Sequence, residues 1–338
     1  MKRALAAALT SVAAAGAARA AYAVLTRRPP GGEKTWTRVN HRGEPVTLLE
    51  GPAVAAGAVL AQFLRGVPGG RPPGLAQCSE RARSSARNAW ALVAAGQRED
   101  PDSGAGLALA LAGAGAFGFG VYDDLAGSGK RRGLRGHLGA LANGEVTTGA
   151  VKLGGLGATG LASALLLGGE PADVAVNAGL VAGGANLLNL FDLRPGRAIK
   201  AATLSAALIT AGGGERGARA VAAPLAAALA LLPDDLGERA MLGDAGANAL
   251  GAMLGGAAAV SLPRPARIAL LAGIVALTGA SEKVSFTKVI ERTPPLRWLD
   301  LLGRRPPAVA PAPREAEPPE VSTARSGEDS ETSPRREP

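Results

Sequence analysis

One cysteine, two histidines and very few aromatic residues are the first constraints this sequence sets. The single Cys78 cannot form an internal disulfide framework and has no cysteine partner for a metal site. Aromatics make up only 3% of the chain, too few for the stacking platform that accompanies single-strand nucleic-acid binding. They are also too few to fill a soluble core of ordinary size, since large side chains dominate such cores. Nucleic acid is therefore not an expected partner, although the net charge is +9.

Alanine and glycine dominate instead, and the apolar residues come in blocks separated by charged loops. Small residues let helices approach closely inside a bilayer, and the pairs Gly179/Gly183 and Gly251/Gly255 have the spacing of such contacts. The composition predicts an all-α, polytopic integral-membrane helix bundle. Nine apolar blocks can be drawn, near 4–25, 47–64, 104–122, 153–168, 172–190, 198–212, 218–232, 245–262 and 266–280. Several are shorter than the roughly 20 residues of a comfortable crossing, so about nine transmembrane helices require tilt or extension into the flanks. The first block, with Lys2 and Arg3 ahead of it and "ARA" at 18–20, reads either as a cleavable signal or as a retained helix containing Arg19. The spans that follow favour the retained helix.

The basic loops 26–46 and 123–152 and the segment 283–305 fall on one side of the count, which the positive-inside bias makes cytoplasmic. The loop 65–103, with a short helix expected around 86–95, is also basic and falls on the other side. Residues 1–303 are expected to form the membrane domain. The Pro-, Glu- and Ser-rich remainder, 304–338, reads as a disordered tail.

Three acidic clusters share the cytoplasmic side. Asp123 and Asp124 stand where an apolar block ends, at a helix terminus whose dipole disfavours negative charge. Asn186, Asn189 and Asp192 are spaced three apart, within one arc of a helix. Asp234, Asp235, Glu238 and Asp244 make the third group. Taken singly these are ordinary: Asp244 could be an N-cap, Asp123 and Asp124 solvated partners of Lys130 and Arg131, and the asparagines interhelical hydrogen-bonding groups. Together, on one side only, they suggest one site. Hard oxygen ligands there suit Mg²⁺, which takes one or two carboxylates and keeps water and phosphate for the rest.

At these residues the chain resembles the polyprenyl-phosphate N-acetylhexosamine-1-phosphate transferases, the family of phospho-N-acetylmuramoyl-pentapeptide transferase and undecaprenyl-phosphate N-acetylglucosamine-1-phosphate transferase. "NHRGEPVTLLEGPA" is similar to the family's first cytoplasmic loop, where a Pro-Thr-rich stretch precedes Gly-Gly. "GVYDDL", "NLLNLFD" and "MLGDAGANALG" are similar to its Asp-Asp, Asn-x-x-Asn-x-x-Asp and Met-Gly-Asp-x-Gly motifs, in the family's order, over residues 36–303. The resemblance implies transfer of a sugar-1-phosphate from a nucleotide-diphosphate sugar to a polyprenyl phosphate, in cell-envelope glycan synthesis such as that of peptidoglycan. The site would face the cytoplasm from the cell membrane, and a homodimer is suggested. Asp244 would ligate Mg²⁺, and Asp123 and Asp124 would position or activate the acceptor phosphate. Asn186, Asn189 and Asp192 would lie on the nucleotide side, with Lys130, Arg135 and Lys152 contacting phosphates.

The chain departs from the pattern in three places. Pro195 stands where the family's second motif has its second aspartate, with Arg194 and Arg197 added. A His-rich loop is lacking, since the histidines are His41 and His137, and a tenth helix is lacking too. Two outcomes follow. The protein is an active transferase with altered donor recognition, using Lys283, Lys288, Arg292 or Arg297 in place of histidines. Alternatively it is a non-catalytic paralogue that binds a lipid phosphate or scaffolds envelope-assembly partners. A small-solute transporter ranks below both, because the acids lie at the ends of the blocks rather than within them.

Overall fold

The computed structural model describes residues 2–66, 101–127, 136, 139–140 and 143–306. The expected short helix around 86–95, Cys78, Lys130, Arg135, His137 and the tail from 307 lie outside them. One helical unit runs Met1–Arg305.

The helices are α1 (Lys2–Arg27), α2 (Glu33–Trp36), α3 (Glu50–Gly66), α4 (Pro101–Ala126), α5 (Thr148–Leu167), α6 (Pro171–Phe191), α7 (Arg197–Leu236), α8 (Gly243–Ser261), α9 (Arg264–Ser281), α10 (Phe286–Arg292) and α11 (Pro294–Leu301). The protein is mostly helical, with every apolar block falling on a helix. Five helices are long and apolar enough to cross a membrane, namely α1, α4, α5, α6 and α7, and the pair α9 and α10, bent by 96°, meets the same test jointly. The 17-residue α3 and the glycine-rich α8 are not among them, so nine crossings go beyond this count.

The expected all-α composition is corrected in one place. Residues read as a basic loop, with Thr47 from the start of the next apolar block, form a hairpin, β1 (Thr37–Val39) against β2 (Pro45–Thr47), with Arg38 opposite Val46. Gly43, at φ 81°, turns the chain between them. Thr47 then pairs with the segment before α8, exchanging backbone hydrogen bonds with Arg239 and Met241 at 3.2 and 3.0 Å. This delays the second apolar helix from 47 to Glu50.

Helix α8 runs through the centre, buried along almost all its length against α3, α4, α6 and α7. Its small residues permit this. A methyl group at Gly251 would strike the Gly184 carbonyl, and one at Gly255 the Leu180 carbonyl. The Gly179/Gly183 pair opens the other face of α6 to Leu271 and Ile274 of α9. Both glycine pairs thus serve the helix contacts their spacing predicts.

Helix α7 is 40 residues long but doubles back at Gly214, whose φ of 57° and ψ of −141° leave the helical region. Its two arms, 197–213 and 215–236, match the separate blocks expected at 198–212 and 218–232. Gly217 lies against the Ile209 carbonyl, Leu236 packs on Gly196, and the Gly196 N–H donates to Asp235 Oδ1 at 2.9 Å. Both ends of α7 therefore meet at one end of the bundle. The C-terminus of α4, the N-terminus of α5, the C-terminus of α6 and the N-terminus of α8 meet there too.

Candidate functional site

Neighbouring residues on a helix point about 100° apart, and Asp123 and Asp124 accordingly do different things. The Asp124 carboxylate accepts the backbone N–H groups of Asp244 and Ala245 at 3.1 and 2.8 Å. Leu242, at the N-cap of α8, offers no side-chain acceptor, so α4 supplies the cap from outside. The positive end of the α8 dipole compensates the awkward placement of an acid at the α4 C-terminus. Arg38 completes the arrangement by donating to the Asp124 backbone carbonyl at 2.5 Å, one of the acceptors a helix end leaves unpaired.

Asp123 faces Asp244 instead. Lys152, in the first turns of α5, places its ammonium between them, 2.7 Å from Asp123 Oδ2 and in a short contact with Asp244 Oδ2. Thr147 sets this lysine by capping α5, accepting the Ala150 N–H at 3.1 Å. All three side chains are largely buried, with 12, 17 and 24% exposure for Lys152, Asp123 and Asp244. Two carboxylates therefore share one cation among three helices.

A second acidic group lies beside this one. Asp192, just past the end of α6, is buried, with the Gly243 backbone N–H nearby. Burial, followed by the nearby Asp235, pushes its carboxyl well above the ordinary range, with Asp244 and Asp124 acting in the same direction. Asp235 holds the Gly196 N–H with one oxygen. Asp192 Oδ2 and Asp235 Oδ2 are buried without a partner among the described residues. Both residues line a cleft of about 170 Å³, walled by Val39, Val46, Leu193, Pro195 and Met241, with Arg194, His41 and Glu238 around it. Burial, then Arg194, lowers the His41 pKa and favours its neutral ring.

The other acids of the third cluster are structural. Asp234 pairs with Arg19 of α1 at 2.6 Å and with Arg239 at 2.9 Å. Glu238, at φ 58°, anchors the hairpin through Asn40 and Arg42 at 3.1 and 3.0 Å. Arg197 is buried in a paired contact with Asp300 of α11, at 2.7 and 3.1 Å, and so is turned from the cleft that Arg194 lines. Burial raises the Asp300 carboxyl, but hydrogen bonds and charge from Arg197, with Arg304 and Lys200, outweigh it and hold the pKa low.

Asn186 and Asn189 are half-buried on α6 and do not line the cleft, although the Asn189 carbonyl accepts the Asp192 N–H at 3.1 Å. Lys283, Lys288, Arg292 and Arg297 are exposed and also stand outside it. Sequence reasoning missed Glu50. This residue is fully buried at the start of α3, near Asp235 and Asp192, and neither carboxylate oxygen has a partner among the described residues. The available signal was a lone acid opening an apolar block.

Among the described residues no group of three or more His, Cys, Asp or Glu side chains is arranged to hold a metal ion. Asp123 and Asp244 nonetheless fit the donor chemistry of Mg²⁺, being two carboxylates already converging on one cation. No family model matches this chain, and neither does any curated protein or solved structure.

Proposed function

We propose that the protein transfers a sugar-1-phosphate from a nucleotide-diphosphate sugar to a polyprenyl phosphate at the cytoplasmic face of the cell membrane. The observation that carries this reading is the convergence of Asp123 and Asp244 on one cation at the end of an apolar bundle. Two further features support it. The cleft beside Asp192 and Asp235 joins apolar walls to buried carboxyl groups, which suits a base with N–H donors, and Arg194 at its edge suits a phosphate. An apolar groove between α6, α7, α8 and α9, lined by Leu187, Phe191, Ile209, Leu254 and Ile274, gives a lipid tail a path along the bundle.

In this reaction an oxygen of the acceptor phosphate attacks the phosphorus bearing the sugar. The bond to the nucleotide's bridging oxygen breaks, and a nucleoside monophosphate leaves. Mg²⁺ held by Asp244 and Asp123 would supply positive charge to the diphosphate. Asp123 orients the acceptor from its place beside Asp244. Asp124 acts through the backbone, fixing the first turn of α8 and with it Asp244. Asp192 and Asp235 receive the base, while Arg194 and Lys152 contact phosphate.

A non-catalytic lipid-phosphate binder is the second reading, favoured by Pro195 in the cleft wall and by Lys152 already satisfying both acids. The deciding experiment supplies purified protein with Mg²⁺, polyprenyl phosphate and a panel of uridine-diphosphate sugars, and follows uridine monophosphate. Lipid-dependent release that disappears in Asp244→Asn supports the transferase. Silence from a folded protein that still binds polyprenyl phosphate supports the second reading.

A further inference from the structure

Among the described residues, Lys152 is the one basic side chain paired with Asp123 or Asp244, and it reaches them from a third helix. The two carboxylates are near enough to hydrogen-bond to each other. In a largely buried site such a pair can stay fully ionised only with positive charge beside it. The ammonium provides that charge from the place where a divalent ion would have to sit. Mg²⁺ binds oxygen at about 2.1 Å, whereas the lysine stands 2.7 Å from Asp123. An ion drawing on the same two oxygens would press against the ammonium, and the two like charges repel strongly at that range.

The neighbouring charged groups offer no replacement for the lysine. Arg38 is engaged by the Asp124 carbonyl, and Arg197 is locked to Asp300. Asp124 has both oxygens on the α8 backbone, so it cannot take Lys152 over without uncapping that helix. A lysine stem is flexible and its head is a compact point charge, well suited to swing between carboxylate and phosphate.

We propose that Lys152 is a resident counter-ion that a divalent cation displaces, after which its ammonium turns to the substrate phosphate. This rests on the transferase reading, because it assigns the cation to Asp123 and Asp244. Metal and lysine then exchange places. With the acids held by Lys152, one of their two negative charges is compensated and the geometry stays intact. With metal there, one further positive charge is freed for an incoming diphosphate.

The first test uses the unsubstituted full chain in detergent. Acylation of individual lysines by acetic anhydride is followed by mass spectrometry with and without Mg²⁺, using the exposed Lys283 and Lys288 as internal references. Displacement predicts a several-fold rise in Lys152 labelling relative to the references. An unchanged ratio overturns the proposal.

The second test measures Mn²⁺ binding by electron paramagnetic resonance in the unsubstituted protein, Lys152→Met and Lys152→Arg. The methionine variant is expected to bind about tenfold more tightly and the arginine variant no more tightly than the parent. Equal affinity in all three overturns the exchange while leaving a metal-dependent transferase standing. Absence of binding in all three overturns the exchange and the metal assignment together. Should Lys152→Met fail to fold, the labelling experiment on the unsubstituted chain still decides.

Discussion

The carboxylate of Asp124 closes the N-terminus of the helix that begins with Gly243 and Asp244. One residue of the acidic pair thus holds the scaffold of the other's partner. Asp123 meets Asp244 through a cation, and Asp124 keeps Asp244 where that meeting is possible.

Asp124→Ala is therefore expected to cost about 1–2 kcal/mol of stability by leaving two buried N–H groups unpaired. Asp124→Asn retains one acceptor oxygen and should lose less. Thermal unfolding in detergent ranks the three proteins. Equal melting temperatures would show that the cap carries no weight.

Asp192 gives a pH dependence whose sign is fixed by its raised carboxyl. A carboxyl whose folded pKa lies above its unfolded value contributes nothing below the unfolded value, near 3.9. As pH rises from there toward the folded pKa, it destabilises the native state progressively. Asp192→Asn removes that cost, so its melting temperature should exceed the parent's at neutral pH, and the gap should close near pH 3–4. Asp235, Asp244 and Asp124 act on the same group, and they are unchanged in the variant. A gap that widens on acidification would contradict the assignment.

Arg197 and Asp300 form a buried, two-bonded pair that ties α11 to the start of α7. Truncating Arg197 to Met should cost about 3 kcal/mol, because the Asp300 charge loses its main partner. The double variant Arg197→Met with Asp300→Leu should regain most of this. Hydrogen exchange over 286–301 provides the local reading, with faster exchange expected in the single variant only.

At Gly214 the backbone occupies a region that side chains with a Cβ rarely enter. Nothing crowds the position, so Gly214→Ala probes the backbone alone. A loss of about 1–3 kcal/mol is expected, read as a lower melting temperature. No loss would mean that the turn relaxes without consequence.

How far the sequence anticipated this structure depends on the kind of information involved. Apolar blocks and the glycine pairs located the helices, since both are local patterns that burial enforces. The position of Asp123, Asp124, Asp192 and Asp244 at block ends was equally legible, and those ends do meet. What one dimension does not carry is rotation about a helix axis and partnership across helices. Asp123 and Asp124 look equivalent in sequence, yet one faces a cation and the other a backbone. Lys152 was read as a phosphate contact, and its bridging position depends on three helices at once. The β hairpin escaped because each strand is only three residues long and its pairing with the α8 approach is non-local. Glu50 escaped because nothing beside it in the chain marks it as facing Asp192 and Asp235.

The turn at Gly214 also governs sidedness. An arm that leaves one end of the bundle and returns to it changes nothing for the chain that follows, whatever lies between. Gly196 and Asp235 are 39 positions apart and joined by a hydrogen bond, so α7 is an excursion with coincident start and finish. Asp192 and Asp244 consequently stay on a common face by parity. Lengthening or shortening both arms together preserves that face, while adding residues to one arm alone would pull the Gly196–Asp235 junction out of register.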